Sequence, residues 1–338
     1  MPVIHLISSW LNCFSTIDTI YKNLSVQNKF IKLHIRPILT DALKTNDGSL
    51  EPSDLTKITS YYGLAVPAIL GEAFCLLHGK KMTPNERWAS TAQGAMTGLF
   101  DDFFDKEYLP KEKINQLMQP GDPGDNTKSN EKLFSLFYKK VLDVSVDPAA
   151  VQNALKLVYD AQVESKKQLE PAIRETEIEL ITFFKGGTSL LFYRTVFSPA
   201  INIQEEKLLY SLGGLMQLCN DIFDVYKDRE SQVKTLVTET KHIALIREQF
   251  QVSLSTLFEM AYRCDYPHER VRKFLSVLSL GIFSRALVCL DQLHANEMTT
   301  GGQFMVGTYS RAALICDMDT AKNKIRSLRY HRMLMKKS

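Results

Sequence analysis

Apolar residues recur at three- and four-residue intervals along nearly the whole chain, the period of a helix that buries one face. At the start, Val3, Ile4, Leu6, Ile7, Trp10, Leu11, Phe14, Ile17, Ile20 and Tyr21 follow this spacing. The same recurrence predicts helices over 3–22, 27–44, 53–79, 84–107, 130–144, 147–168, 172–197, 204–229, 241–264, 266–295 and 300–334. Breaks fall at Gly, Pro, Asn and Asp clusters, most clearly in the loop from Gln119 to Asn126. Asp147 before Pro148 predicts a helix start, with a carboxylate to cap free N–H groups and a proline suited to the first turn. Strand alternation is nearly absent, and there is no repeat or linker. The pattern therefore predicts an all-α protein, a single domain over residues 1–338 built from about ten to twelve helices.

Composition narrows the class without naming a function. Of 338 residues, 45% are hydrophobic and 23% charged, the balance of an ordinary globular protein. A net charge of +3 is too small to argue for nucleic acid. The basic tail of Lys322, Lys324, Arg326, Arg329, Arg332, Lys336 and Lys337 reads as a solvated helix end. Six cysteines (Cys13, Cys75, Cys219, Cys264, Cys289 and Cys316) lack paired or zinc-type spacing, and most sit in apolar helical contexts. They read as small core residues in a reducing compartment, so a cytoplasmic location is expected. The apolar N-terminus has no Lys or Arg ahead of it and continues as an amphipathic period, unlike a signal peptide. No uninterrupted apolar run reaches about 18 residues, so no membrane span is expected.

Two acidic clusters break the apolar pattern: Asp101-Asp102-Phe103-Phe104-Asp105, and Asn220-Asp221-Ile222-Phe223-Asp224-Val225-Tyr226-Lys227-Asp228. Each follows an uncharged stretch, Ala95–Phe100 and Leu212–Cys219, where carboxylates are costly to bury uncompensated. Asp101 and Asp105 share a helical face, and Asn220, Asp224 and Asp228 form an i, i+4, i+8 ladder. Like charges stacked in this way repel unless a cation lies between them. The economical expectation is that the two helices face one another across a central cavity and share a hard divalent ion, Mg²⁺, which favours oxygen ligands.

These residues resemble known motifs. Asp101–Asp105 looks like the DDxxD motif of class I isoprenoid synthases, and Asn220–Asp228 resembles the second metal motif of class I terpene synthases. The sequence departs at Asp224, where Ser or Thr is usual, and at Asp228, where Glu is usual. Both still offer oxygen ligands. They tilt the motif toward trans-prenyltransferases and squalene/phytoene synthases. The resemblance covers about residues 60–235 and implies a helical bundle around a central cavity. It also implies three Mg²⁺ ions with substrate bound, held by Asp101, Asp105, Asn220, Asp224 and Asp228.

Further residues take roles from the same resemblance. Arg174, 46 residues before Asn220, stands about where bacterial terpene synthases carry a diphosphate-sensing arginine. A guanidinium fork binds two phosphate oxygens at once. Lys227 occupies the lysine position of the second motif. In Phe183-Phe184-Lys185-Gly186-Gly187-Thr188, two glycines inside a helical pattern cost about 1 kcal/mol each relative to Ala, so a bend or a close backbone approach is expected. Lys185 there is a candidate phosphate contact. Arg329-Tyr330 resembles a C-terminal Arg-Tyr pair that closes over diphosphate, with Tyr309-Ser310-Arg311 as a competitor. Phe100, Phe103, Phe104, Phe183, Phe184, Phe192, Tyr193 and Phe223 are candidates to shape a hydrocarbon pocket.

The resemblance points first to a terpene cyclase acting on a C15 or C20 allylic diphosphate. The alternatives are a prenyl-coupling synthase, head-to-tail or head-to-head, and a catalytically silent helical scaffold. After the first motif, Lys106-Glu107-Tyr108-Leu109-Pro110-Lys111 lacks the arginine pair of head-to-tail elongases. Leu99-Phe100 and Ile222-Phe223 stand where head-to-head synthases place an arginine. A homodimer is compatible with the resemblance.

Overall fold

The computed structural model describes residues 2–106, 109–121, 124 and 127–336, apart from the side chains of 2–9, 11 and 105. Among the described residues all regular structure is helical, which agrees with the predicted class. α1 (Pro2–Phe30) passes through a π turn, Ile31–Ile35, into α2 (Arg36–Lys44). α3 (Pro52–Thr56), α4 (Tyr62–Ala65) and α5 (Glu72–His78) form one run joined by the π turns Lys57–Tyr61 and Val66–Gly71. Next come α6 (Pro84–Asp105), α7 (Lys111–Leu117), α8 (Ser129–Val144), α9 (Pro148–Ser165) and α10 (Glu175–Arg194). They are followed by α11 (Ile203–Phe223), α12 (Val225–Glu230), α13 (Leu236–Glu239) and α14 (Ile243–Arg263). α15 (His268–Leu278) turns through the π segment Ser279–Phe283 into α16 (Ser284–Thr299), and α17 (Arg311–Leu314) and α18 (Ala321–Leu334) complete the order.

Several boundaries differ from the periodicity. The gap expected at 23–26 does not occur, because Asn23-Leu24-Ser25-Val26 holds neither Gly nor Pro to stop the helix. α7 lies in a stretch assigned no element. The single helix expected over 300–334 is broken: Gly301 (φ 75°) and Gly302 (φ 85°) are left-handed, and the helix restarts at Arg311 and again at Ala321. Side-chain caps explain several clean starts. Thr83 and Glu86 form a capping box with Pro84 in the first turn of α6, and Asn202 accepts from the Gln204 and Glu205 N–H groups at α11. Asp147 accepts from the Ala150 N–H at 2.9 Å, the cap expected of Asp147-Pro148.

The chain divides into two compact units, Thr19–Gln162 with Phe192–Ile201, and Met1–Asp18 with Val163–Leu191 and Asn202–Ser338. In the first, α6 packs on α8. Phe103 and Phe100 lie 5.5 and 5.6 Å, centroid to centroid, from Phe134, and Phe104 reaches Tyr159 at 5.8 Å. Arg194 is fully buried there and spends its donors on the carbonyls of Phe197 and Pro199 and on the His78 ring. Without such partners its charge would be expelled from the core.

In the second unit α11 packs against α14 and α16, and α16 against α18. Leu212, Leu215, Leu218 and Ile222 present one apolar stripe of α11, all buried. Five of the six cysteines are buried and all six are free thiols, which agrees with their reading as core residues. The runs Pro52–His78 and His268–Thr299 are long and apolar enough to cross a membrane, but more than half of each is buried inside the fold. That burial is what a core helix requires.

His331 on α18 is buried, accepts or donates one hydrogen bond with Ser279 at 3.1 Å, and is pushed down by burial to about 4. The unfolded ring titrates near 6.5, so between pH 4 and 6.5 the unfolded chain binds the extra proton. Stability is complete above about pH 6.5 and falls as the pH drops toward 4, by about 3 kcal/mol in total. Denaturant melts across this window should show the loss, and His331→Gln, which keeps a hydrogen-bonding side chain, should flatten it. An unchanged slope in the variant rules this residue out as the source.

Candidate functional site

The second acidic cluster sits where α11 gives way to α12. Asp224 leaves helical geometry (φ −98°, ψ 13°), yet the Asp224 N–H still reaches the Asn220 carbonyl and the Asp228 N–H the Asp224 carbonyl. Side-chain direction is therefore conserved through the junction. Asp221, Asp224 and Asp228, at i, i+3 and i+7, share a face that turns inward, whereas Asn220 is exposed. The inward set thus exchanges the expected Asn220 for Asp221, a residue the i, i+4 ladder passed over. The three-residue step from Asp221 to Asp224 was the available signal.

Electrostatics bear out the crowding. Burial pushes Asp228 up to about 8; the charges of Asp221 and Asp224 add to this, and Lys227 and Lys185 oppose it. Burial also raises Asp221, to about 6, against the Gln217 hydrogen bond, the charge of Lys185 and the Thr182 hydrogen bond. Asp224 is raised by burial and eased by Lys227. Gln217 donates to Asp221 at 2.9 Å and Thr182 at 3.4 Å. Three carboxylates therefore share two lysines, one half-buried on α10 and one exposed on α12.

α10 brings Lys185 and Thr182 to this cluster through a glycine contact. A Cβ on Gly186 would stand 2.1 Å from the Gly213 carbonyl oxygen, and one on Gly213 would stand 2.2 Å from that of Gly186. Gly214 gives the Phe183 ring room in the same way, and Gly187 the Tyr210 ring. Of the two outcomes expected from the paired glycines, α10 shows close approach without a break in the helix.

The remaining candidates of this unit lie apart from these carboxylates. Arg174 stands at the exposed start of α10, 76% exposed, in an ion pair with Glu177 at 3.1 Å. It is about three turns along α10 from Lys185. Tyr330 donates its hydroxyl to Asp291, which also takes Arg247 and Arg326, while Arg329 is exposed. In the competing segment the Tyr309 hydroxyl is paired with Thr300 at 2.6 Å, and Arg311 lies 5.7 Å from the Tyr226 ring.

In the α6 unit the two adjacent aspartates divide. Asp102 is buried and takes Lys57 at 2.6 Å and Lys106 at 3.1 Å. Burial works to raise it, but hydrogen bonds from Lys57 and Asp54 and the nearby ammonium charges hold it below the ordinary carboxylate range. Asp101 is half-buried; Gln162 donates to one of its oxygens and the Tyr62 hydroxyl lies 3.5 Å from the other. The side chain of Asp105 falls outside the described side chains. Tyr193 donates to Thr97 at 2.9 Å, one turn before Asp101, and Phe100, Phe103, Phe104, Phe192 and Tyr193 are all buried. Phe183, Phe184 and Phe223 of the other unit are half-buried.

As a donor set, the α11–α12 aspartates suit a hard cation: oxygen only, negative and part-buried. Among the described residues no three His, Cys, Asp or Glu side chains stand close enough to hold a metal ion by themselves.

No family model matches the chain, and no curated protein matches it. A solved structure, the crystal structure of a dehydrosqualene synthase in complex with ligand, is similar over 96% of this chain and 100% of its own. The identity is 14% and the TM-score 0.49.

Proposed function

We propose that the chain is an Mg²⁺-dependent isoprenoid synthase that ionises a C15 or C20 allylic prenyl diphosphate and cyclises the carbocation. The observation that carries this reading is the crowding of Asp221, Asp224 and Asp228 around Lys185 and Lys227 at the end of α11. A purely structural helix end gains nothing from three carboxylates raised by burial, two of them also by a neighbouring aspartate charge, and strain of this kind gathers at functional sites.

Asp224 and Asp228 are the proposed metal ligands of the α11 unit, joined by the exposed Asn220 only if its side chain turns toward the ion, and Asp101 and Asp105 are those of the α6 unit. When bound, Mg²⁺ supplies Lewis-acid stabilisation of the departing diphosphate. Lys185 and Lys227 draw the diphosphate by charge and neutralise it as the allylic C–O bond breaks. Asp221, anchored by Gln217 and Thr182, holds Lys185 in place by charge. Arg174 serves the same diphosphate only if it exchanges Glu177 for phosphate, and Tyr330 only if it leaves Asp291. Lys185 and Lys227 are therefore ranked first.

A second reading, prenyl coupling, is favoured by one observation. Aspartates at 224 and 228 stand where the cyclase motif has a hydroxyl and a glutamate.

Incubation with Mg²⁺ and geranyl, farnesyl or geranylgeranyl diphosphate, with and without isopentenyl diphosphate, separates the readings by mass spectrometry. A cyclic hydrocarbon or alcohol from one substrate alone is the expected result. A product that needs a second diphosphate replaces cyclisation with coupling. If folded protein makes nothing, and Mg²⁺ with inorganic diphosphate leaves its melting temperature unmoved, the enzyme reading fails in favour of a silent scaffold.

A further inference from the structure

Outside the acidic clusters, the first and last helices meet in a surface that is both apolar and basic. On α1, Trp10, Phe14 and Ile17 fall at i, i+4 and i+7 and share one face. Phe14 is 60% exposed and Ile17 36%. On α18, Ile325, Arg329, Arg332, Met333 and Lys336 form a second stripe, with Ile325 51% and Met333 54% exposed. The two stripes join where the Arg332 guanidinium lies over the Trp10 ring, 4.0 Å from its centroid. Beside Met333 lies a recess of about 440 Å³, lined by Leu254, Phe258 and Leu334 together with the polar Gln251, Glu259 and Arg263.

Charge decides what such a face fits. Residues 321–336 hold six Lys or Arg and no Asp or Glu. Lys324 is paired with Asp319 and Arg326 with Asp291. Lys322, Arg329 and Lys336 are exposed, and among the described residues none has an ion-pair partner. A second copy docking face to face would set these cations against one another, which argues against a symmetric dimer here. A nucleic acid would use the cations but leave Phe14, Ile17 and Met333 in water. An anionic lipid bilayer uses both: aromatic and aliphatic side chains enter the boundary of the acyl region while Lys and Arg meet headgroup phosphates.

We propose that this face, α18 with the N-terminal part of α1, docks the protein peripherally on membranes that carry anionic lipid. The proposal is independent of the reaction assigned above. It predicts that the full chain co-sediments with phosphatidylcholine/phosphatidylglycerol vesicles and not with pure phosphatidylcholine vesicles. The double variant Lys322→Glu/Lys336→Glu should weaken that binding by at least roughly tenfold, since each basic residue near a charged bilayer contributes severalfold. Phe14→Asp should weaken it through the apolar side. Both alter exposed side chains, so unchanged melting curves will separate lost docking from lost fold. The proposal is overturned if the chain ignores both vesicles, if it binds both equally, or if the double variant binds as wild type. Heparin binding without vesicle binding overturns it in favour of a soluble polyanion.

Discussion

Asp228→Asn should lower Mg²⁺-dependent turnover of the prenyl diphosphate by roughly 10²–10³-fold, the scale of losing one transition-state contact to a developing anion. The melting temperature of the metal-free protein should hold or rise. The reason lies in the setting of the side chain: it is part-buried, within reach of the charges of Asp221 and Asp224, and opposed only by Lys227 and Lys185. Above about pH 8, where Asp228 carries its charge, an amide of the same shape removes that repulsion. A structural carboxylate such as Asp102, held by two lysines, should behave in the opposite way and lose stability when neutralised. Paired activity and melting measurements on the two variants therefore distinguish a functional acid from a structural one. Wild-type turnover in Asp228→Asn would remove this residue from the site. A collapse of both quantities would make it structural.

Gly213→Ala should be among the most damaging one-methyl substitutions in the α11 unit. Its Cβ would sit 2.2 Å from the Gly186 carbonyl oxygen and 2.8 Å from the Gly187 Cα, so only separation of the two helices makes room. Overpacking of this kind costs about 3 kcal/mol, and the better helix propensity of alanine returns at most about 1 kcal/mol. A net loss of about 2 kcal/mol and a fall of several degrees in melting temperature are expected. Gly307→Ala is the control, since its added methyl meets nothing within 4 Å. Gly186→Ala should add a functional defect, because its methyl would also come 2.7 Å from the Cβ of Gln217, which orients Asp221. Equal melting temperatures for Gly213→Ala and Gly307→Ala would show that α10 and α11 are not in backbone contact.

Much of this was legible in the residue order because helical periodicity and capping are local. Thr83-Pro84 and Asp147-Pro148 mark helix starts from their own chemistry, and the apolar stripe of α11 shows in its spacing. The break in the expected 300–334 helix was harder to read, since whether Gly301 and Gly302 adopt positive φ depends on what the following chain packs against. At the acidic clusters, sequence supplied the residues but not their assignment. Asp101 and Asp102 are indistinguishable as letters, and Lys57, far away in sequence, joins the local Lys106 in committing Asp102 to ion pairs. Asp221 was hidden for a similar reason: a strict four-residue step selects Asn220, whereas the inward face follows a three-residue step to Asp224. Arg174 and Tyr330 had plausible spacing, but spacing carries no information about Glu177 or Asp291 as competing partners.

The π turns at Lys57–Tyr61, Val66–Gly71 and Ser279–Phe283 each lodge one residue more than an α-helical turn holds. A residue added inside a continuous helix rotates everything beyond it by about 100° relative to what lies before. Two such turns precede α5, so the buried face of Phe74 and Leu77 is in phase with neither the start of α3 nor an ideal helix drawn through it. The run from Pro52 to His78 therefore behaves as three short helices that each keep their own orientation. Chain length can change by one residue at these turns with the hydrogen-bonded rod preserved, whereas the same change within α6 would turn Asp101 away from Gln162 and Tyr62.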